Sequence, residues 1–148
     1  MKPEVDQILQ FGAGHLMASI APLLPPGYDQ GTAALTGIVL LLSAQEYDRA
    51  ADIRVKENAE IRTLFAELAG TTNDTKLKAD IAAAARSTDP SLTISVLDEC
   101  NYVLRRLLIA LHTHFDSRED DAARVSAKRI WQAMKIFAAR RVLTSPTG

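Results

Sequence analysis

Apolar residues recur along this chain at intervals of three and four, the spacing of one face of an α-helix, and nowhere do they alternate with the period of two that marks a half-buried strand. No Asn-Gly or Asp-Gly hairpin signal interrupts them. Four strong helical patterns and one weak one follow. The first runs from Pro3, which suits an opening helical position, to Leu24. Val5, Ile8, Leu9, Gly12, Leu16, Ile20 and Leu23 sit at helical spacing, and Pro22, Pro25, Pro26 and Gly27 end the run. Gly12 and Gly14 either loosen this helix or let a neighbour approach closely.

The second pattern runs from Asp29 or Thr32 to Leu68 and stops at Ala69-Gly70. Its roughly 40 residues would extend ~60 Å unbroken, with Gly37 as the place for a kink. Its first third is apolar on nearly every side, which implies burial all round. A short helix is expected from Asp74 to Arg86, opened by Asn73 or Asp74 as cap, and the turn Ser87-Thr88-Asp89-Pro90 follows it. The third main helix is expected from Ser91 to Phe115 and the fourth from Glu119 to Leu143, with a frayed tail from Thr144. Short loops between long helices favour antiparallel neighbours. The expected fold is therefore all-α, an up-and-down antiparallel bundle of four main helices plus one short helix, in a single domain of residues 1–148.

Composition narrows the picture. With 148 residues, the chain can bury roughly 68–70% of its unfolded surface without a covalent staple. Its one cysteine, Cys100, lies among Val96, Val103, Leu104 and Leu107 and reads as a buried, inert thiol in a reducing compartment. The segment MKPEVDQ carries acids where a secretory leader would be basic, and the longest apolar run, Ala33 to Ala44, falls short of the roughly 20 residues that span a bilayer. Cytoplasmic location without membrane contact is expected. The net charge of -1 implies no polyelectrolyte partner. The distribution is uneven, because every charged residue from Ala122 onward is basic: Arg124, Lys128, Arg129, Lys135, Arg140 and Arg141, with no acid. That bias marks either a binding face or, as the favoured reading, one helix complementing acidic neighbours in a bundle.

Polar residues on apolar faces are the candidate chemistry. The long helix carries a stripe of Leu35, Val39, Leu42, Ala50, Ile53, Ile61, Leu64 and Leu68, and Glu46 and Glu57 fall within it. A carboxylate facing a core is costly unless paired. Asn101, Arg105 and His112 edge the apolar arc of the third main helix, together with Asp98, and Arg141 falls within the stripe of the fourth. Glu46, Glu57, Asn101, Arg105, His112 and Arg141 are thus the candidate interior polar site. Glu46 or Glu57 bridged to Arg105 or Arg141 is the structural reading, and a pocket in the bundle interior is the functional one.

Specific chemistries fit poorly. A carboxylate-bridged dimetal bundle needs Glu-x-x-His pairs, and none occurs; Glu46 and Glu57 are separated by ~16 Å along one helix and cannot share an ion. A mononuclear set of Glu57, His112 and Asp116 remains conceivable on spacing, but no metal or other cofactor is expected. Arg106 and His112 have the separation seen in some small helical ribonucleases, yet six residues put them on different faces of a straight helix. Phosphate-binding loops, zinc spacings and a nucleophile elbow are all missing. The basic fourth helix lacks a helix-turn-helix partner, so nucleic-acid binding is not expected.

What is left over is apolar. The fourth main helix carries a second strip, Val125, Ile136 and Leu143, rimmed by basic residues, opposite its Ile130, Met134 and Phe137 face. One neighbour cannot cover every side of the long helix's first third. The expected function is a non-catalytic helical module acting through self-association or a protein partner, as a homodimer with the second or fourth helix at the contact. The alternative is an enzyme or a small-ligand or metal-binding bundle using the interior polar residues.

Overall fold

The computed structural model describes residues 4–144. The helix start expected at Pro3 and the tail beyond Thr144 lie outside them. The chain is all-α, with no strand among the described residues. Its helices are α1 (Val5–Gly14), α2 (Tyr28–Leu68), α3 (Thr75–Ala85), α4 (Ile94–Asp116) and α5 (Asp121–Arg140). No helix of these is long and apolar enough to cross a membrane. The described residues fall into two compact units, 4–50 with 142–144, and 51–141. Helix α2 contributes its first part to one and its remainder to the other.

In the first unit the expected single helix to Leu24 is divided. After α1 the chain widens into a π-helical turn, His15–Ile20, and then tightens into a 3-10 turn, Ala21–Leu23. Pro22 causes the change: it has no N–H to offer residue 18, and its ring crowds that carbonyl. The wider turn lets the N–H of Ala21 reach Leu16 O instead. Gly27, at φ +151°, then turns the chain into α2. Helix α1 packs antiparallel to the first part of α2, as Gly12 lies by Leu40 and Met17 by Gly37. A Cβ on Gly37 would stand 2.3 Å from Met17 Cγ and 3.1 Å from Ala13 O, so glycine permits this approach.

The second unit is an up-and-down bundle of the rest of α2, α3, α4 and α5. Asp74 Oδ1 caps α3 by accepting from the N–H of Leu77, and Asp120 Oδ1 caps α5 by accepting from that of Ala123. Ion pairs record the directions. Glu57 with Arg141, Glu60 with Arg140 and Glu67 with Arg129 run α5 antiparallel to α2. Arg54 with Asp98 and Asn101 with Glu57 run α4 parallel to it. Phe65, Ile81, Leu104, Phe115, Ile130 and Phe137 meet in one core drawn from all four helices. The short helix α3 takes a full place in this bundle, anchored by Ile81, which is wholly buried.

Candidate functional site

Four of the six polar residues singled out from the sequence meet in the second unit. Glu57 is fully buried in α2. Arg141, just past the end of α5, donates from Nε and Nη2 to Glu57 Oε2 at 3.1 and 3.0 Å. Arg105 of α4 places Nη1 3.1 Å from Oε1. Asn101, one turn before Arg105, donates to the same oxygen at 3.0 Å. A buried carboxylate flanked by two guanidinium groups is the arrangement that offsets its desolvation.

The network continues through residues that helical spacing does not flag. The second N–H of Asn101 goes to Asn58 Oδ1 at 2.9 Å. Asn58, fully buried beside Glu57, donates in turn to Leu97 O and to Asp89 Oδ1. Arg62 holds that same Asp89 oxygen at 2.6 Å and reaches Ser87 Oγ through Nε. The hydrogen bond from Arg62 keeps the Asp89 carboxyl below its ordinary range, against the opposing effect of burial. Cys100 sits at this end; burial first, and then the Asp89 charge, push its thiol up. A polar chain thus links the turn before α4 to the end of α5.

Glu46 and His112 do not join it. Glu46 belongs to the first unit, is partly buried and is not without a partner. His112 lies eleven residues beyond Asn101, about 16 Å along α4, with its ring 6.5 Å from that of Trp131 on α5. Among the described residues no three His, Cys, Asp or Glu side chains gather as a metal site would need. Both Glu57 oxygens are engaged by donors of the chain itself. A buried ionic network of this kind can fix which helix faces meet and at what register.

Two surfaces are less complete. One is a groove of about 850 Å³ between α3 and α4. Ala83 and Ala84 line one side, Val96, Val103, Leu107 and Ala110 the other, and Glu99 and Arg106 stand along it. Cys100 and Arg62 reach into it as well, so the buried network ends at its wall. The other is the first part of α2, where Leu35 and Val39 are 61% and 52% exposed. On the helical wheel they lie on the side opposite Gly37 and Ala44, which face α1. The strip Val125 and Ile136 on α5 is also exposed. No family model matches this chain, and no curated protein or solved structure is significantly similar to it.

Proposed function

We propose that this chain is a non-catalytic helical module that works by self-association, with the first part of α2 as a contact between copies. The observation that carries this reading is the treatment of polar groups on that stretch. Gln30 to Gln45 holds no charged residue. The hydroxyls of Thr32, Thr36 and Ser43 all turn back onto carbonyls one turn earlier, those of Tyr28, Thr32 and Val39, at 2.8–2.9 Å. Nothing polar there is left asking for water. Leu35, Val39 and Leu42 follow at intervals of four and three, the spacing of a helix–helix seam.

The hairpin of α1 and α2 supports the reading from the other direction. Among the described residues of the first unit, the buried apolar side chains are alanines: Ala13, Ala21, Ala44 and Ala50. Small side chains supply little hydrophobic stabilisation, and the larger Leu35, Val39, Ile8 and Phe11 remain in water. A second copy related by a two-fold axis near Val39 covers the α2 stripe with the same stripe, as an isologous contact requires. The test is the mass of the full chain by light scattering across a concentration series, for wild type and Val39→Glu. The substitution puts two carboxylates at the axis and is expected to lower the mass. A mass that Val39→Glu leaves unchanged would remove α2 as the contact.

A further inference from the structure

The α3–α4 groove carries a pattern of its own, independent of α2. Glu99 and Arg106 both line it, and neither forms an ion pair among the described residues. They lie seven residues apart on one face of α4, about 10.5 Å. Arg106 is held in place by stacking on Tyr102, its guanidinium carbon 5.7 Å from the ring centroid, but it meets no carboxylate. The midpoint of Glu99 and Arg106 falls between Tyr102 and Val103, which are 64% and 52% exposed. The groove-lining residues Val96, Glu99, Val103, Arg106 and Ala110 follow at intervals of three and four, a seam again.

This arrangement is self-complementary when reversed. Laid antiparallel on a copy of itself about that midpoint, α4 sets Glu99 against Arg106 of the copy and Arg106 against Glu99. Tyr102 and Val103 then meet at the axis, and Val96 meets the far end near Ile109 and Ala110. A parallel copy would instead set Glu99 against Glu99 and Arg106 against Arg106. We propose that the α3–α4 groove is a second homotypic interface, which receives α4 of another copy in an antiparallel two-fold contact fastened by two reciprocal Glu99–Arg106 pairs. The alanines of α3 let the incoming helix approach, and charge placement selects its direction. A chain with two isologous faces builds assemblies larger than a dimer.

The full chain carrying Val39→Glu isolates this contact from the α2 stripe, so the two readings fail separately. In that background the chain is expected to associate at concentrations up to about 100 µM, because a contact of this modest size is weak. Adding Glu99→Arg or Arg106→Glu singly sets like charges together and is expected to weaken association at least tenfold. Combining both substitutions reverses both charges on both copies and restores it. A Val103→Cys change in a Cys100→Ser chain is expected to form an intermolecular disulfide near the axis under mild oxidation. A Val39→Glu chain that stays monomeric overturns the proposal. So does association indifferent to Glu99→Arg, or a double reversal that fails to restore it while the protein stays helical.

Discussion

Arg141 and Glu57 stand 84 positions apart in the chain, yet two guanidinium hydrogen bonds join them through a single carboxylate oxygen. The pair closes the second unit, because Glu57 belongs to the first helix of that bundle and Arg141 to the residue after its last. Asn101 also receives Arg141 through its Oδ1 at 3.4 Å. One residue at the end of α5 therefore sets α2 and α4 against each other.

Removing the carboxylate should be costly for that reason. Glu57→Ala leaves two guanidinium groups facing a cavity without their counter-charge, and is expected to destabilise by about 3–5 kcal/mol. Glu57→Gln keeps the shape and one acceptor and is expected to cost less. Urea denaturation of the two variants measures the difference through the midpoint. Equal midpoints for both variants and wild type would mean that Glu57 contributes nothing to the bundle.

Acid should act on the other end of the network. Asp89 is held below its ordinary range by Arg62, so its pKa is lower folded than unfolded. The stability it contributes is present above the unfolded value, near pH 4, and is lost as pH falls from there through the folded value. Asp89→Asn is expected to be less stable at neutral pH, and to lose less between about pH 5 and 2 than wild type does. The same change removes a charge that pushes the Cys100 thiol up, while the opposing Arg62 charge remains. Alkylation of Cys100 at mildly alkaline pH should then run faster in Asp89→Asn. Parallel acid limbs and equal alkylation rates would show that Asp89 and its neighbours do not interact as described.

Much of this was legible in the sequence, and the reasons are local. A period of 3.6 sustained over long segments identifies helices, and α2 ends at Leu68 as the Ala69-Gly70 stop implies. Glu57 stood out because an acid within an apolar stripe needs a partner. Glu46 looked equivalent on the wheel, but a wheel has no axial coordinate, and the two acids are about 16 Å apart. The sequence does not single out Asn58, because an asparagine beside the stripe reads as solvent-facing, and only tertiary contact with Asp89 shows otherwise. Asp89 itself looked like part of a turn. The divided first helix was hidden for a similar reason: Pro22 marks an ending, but how far back its effect reaches depends on which carbonyls the chain can satisfy.

Gly37 and Gly31 form a matched pair within α2. Replacing glycine with alanine in a helix interior gains about 0.5–1 kcal/mol if space allows. Around Gly31 nothing lies within 4 Å of an added Cβ, so Gly31→Ala is expected to raise stability by that amount. At Gly37 the Cβ would displace Met17 and press on the Ala13 carbonyl. Overpacking of about 1–3 kcal/mol should outweigh the gain, making Gly37→Ala net destabilising. Hydrogen exchange of the α1 amides reads the contact directly: faster in Gly37→Ala, unchanged or slower in Gly31→Ala. Equal rates in both would mean that α1 does not rest on Gly37.

The hydroxyls of α2 give the self-association reading its sharpest test, since they predict a gain and not only a loss. Thr36 already spends its hydroxyl on Thr32 O, so its replacement by valine strands no partner: the carbonyl keeps its helical hydrogen bond. In a solvated face the change would be close to neutral. In a contact between copies it adds an apolar group at a dry seam, worth about 0.8 kcal/mol per buried CH₂-sized group. A two-fold contact counts the gain twice, so the dimer Kd is expected to fall roughly tenfold. Ser43→Ala exchanges a hydroxyl that is likewise turned inward onto Val39 O and should weaken association only slightly, because it removes volume without stranding a polar group. Sedimentation equilibrium on Thr36→Val, Ser43→Ala and Val39→Glu orders the three variants as tighter, nearly unchanged and weakest, the last having lost the α2 contact. If Thr36→Val leaves the Kd where it was, the stripe faces water in the assembled protein and another surface holds the copies together.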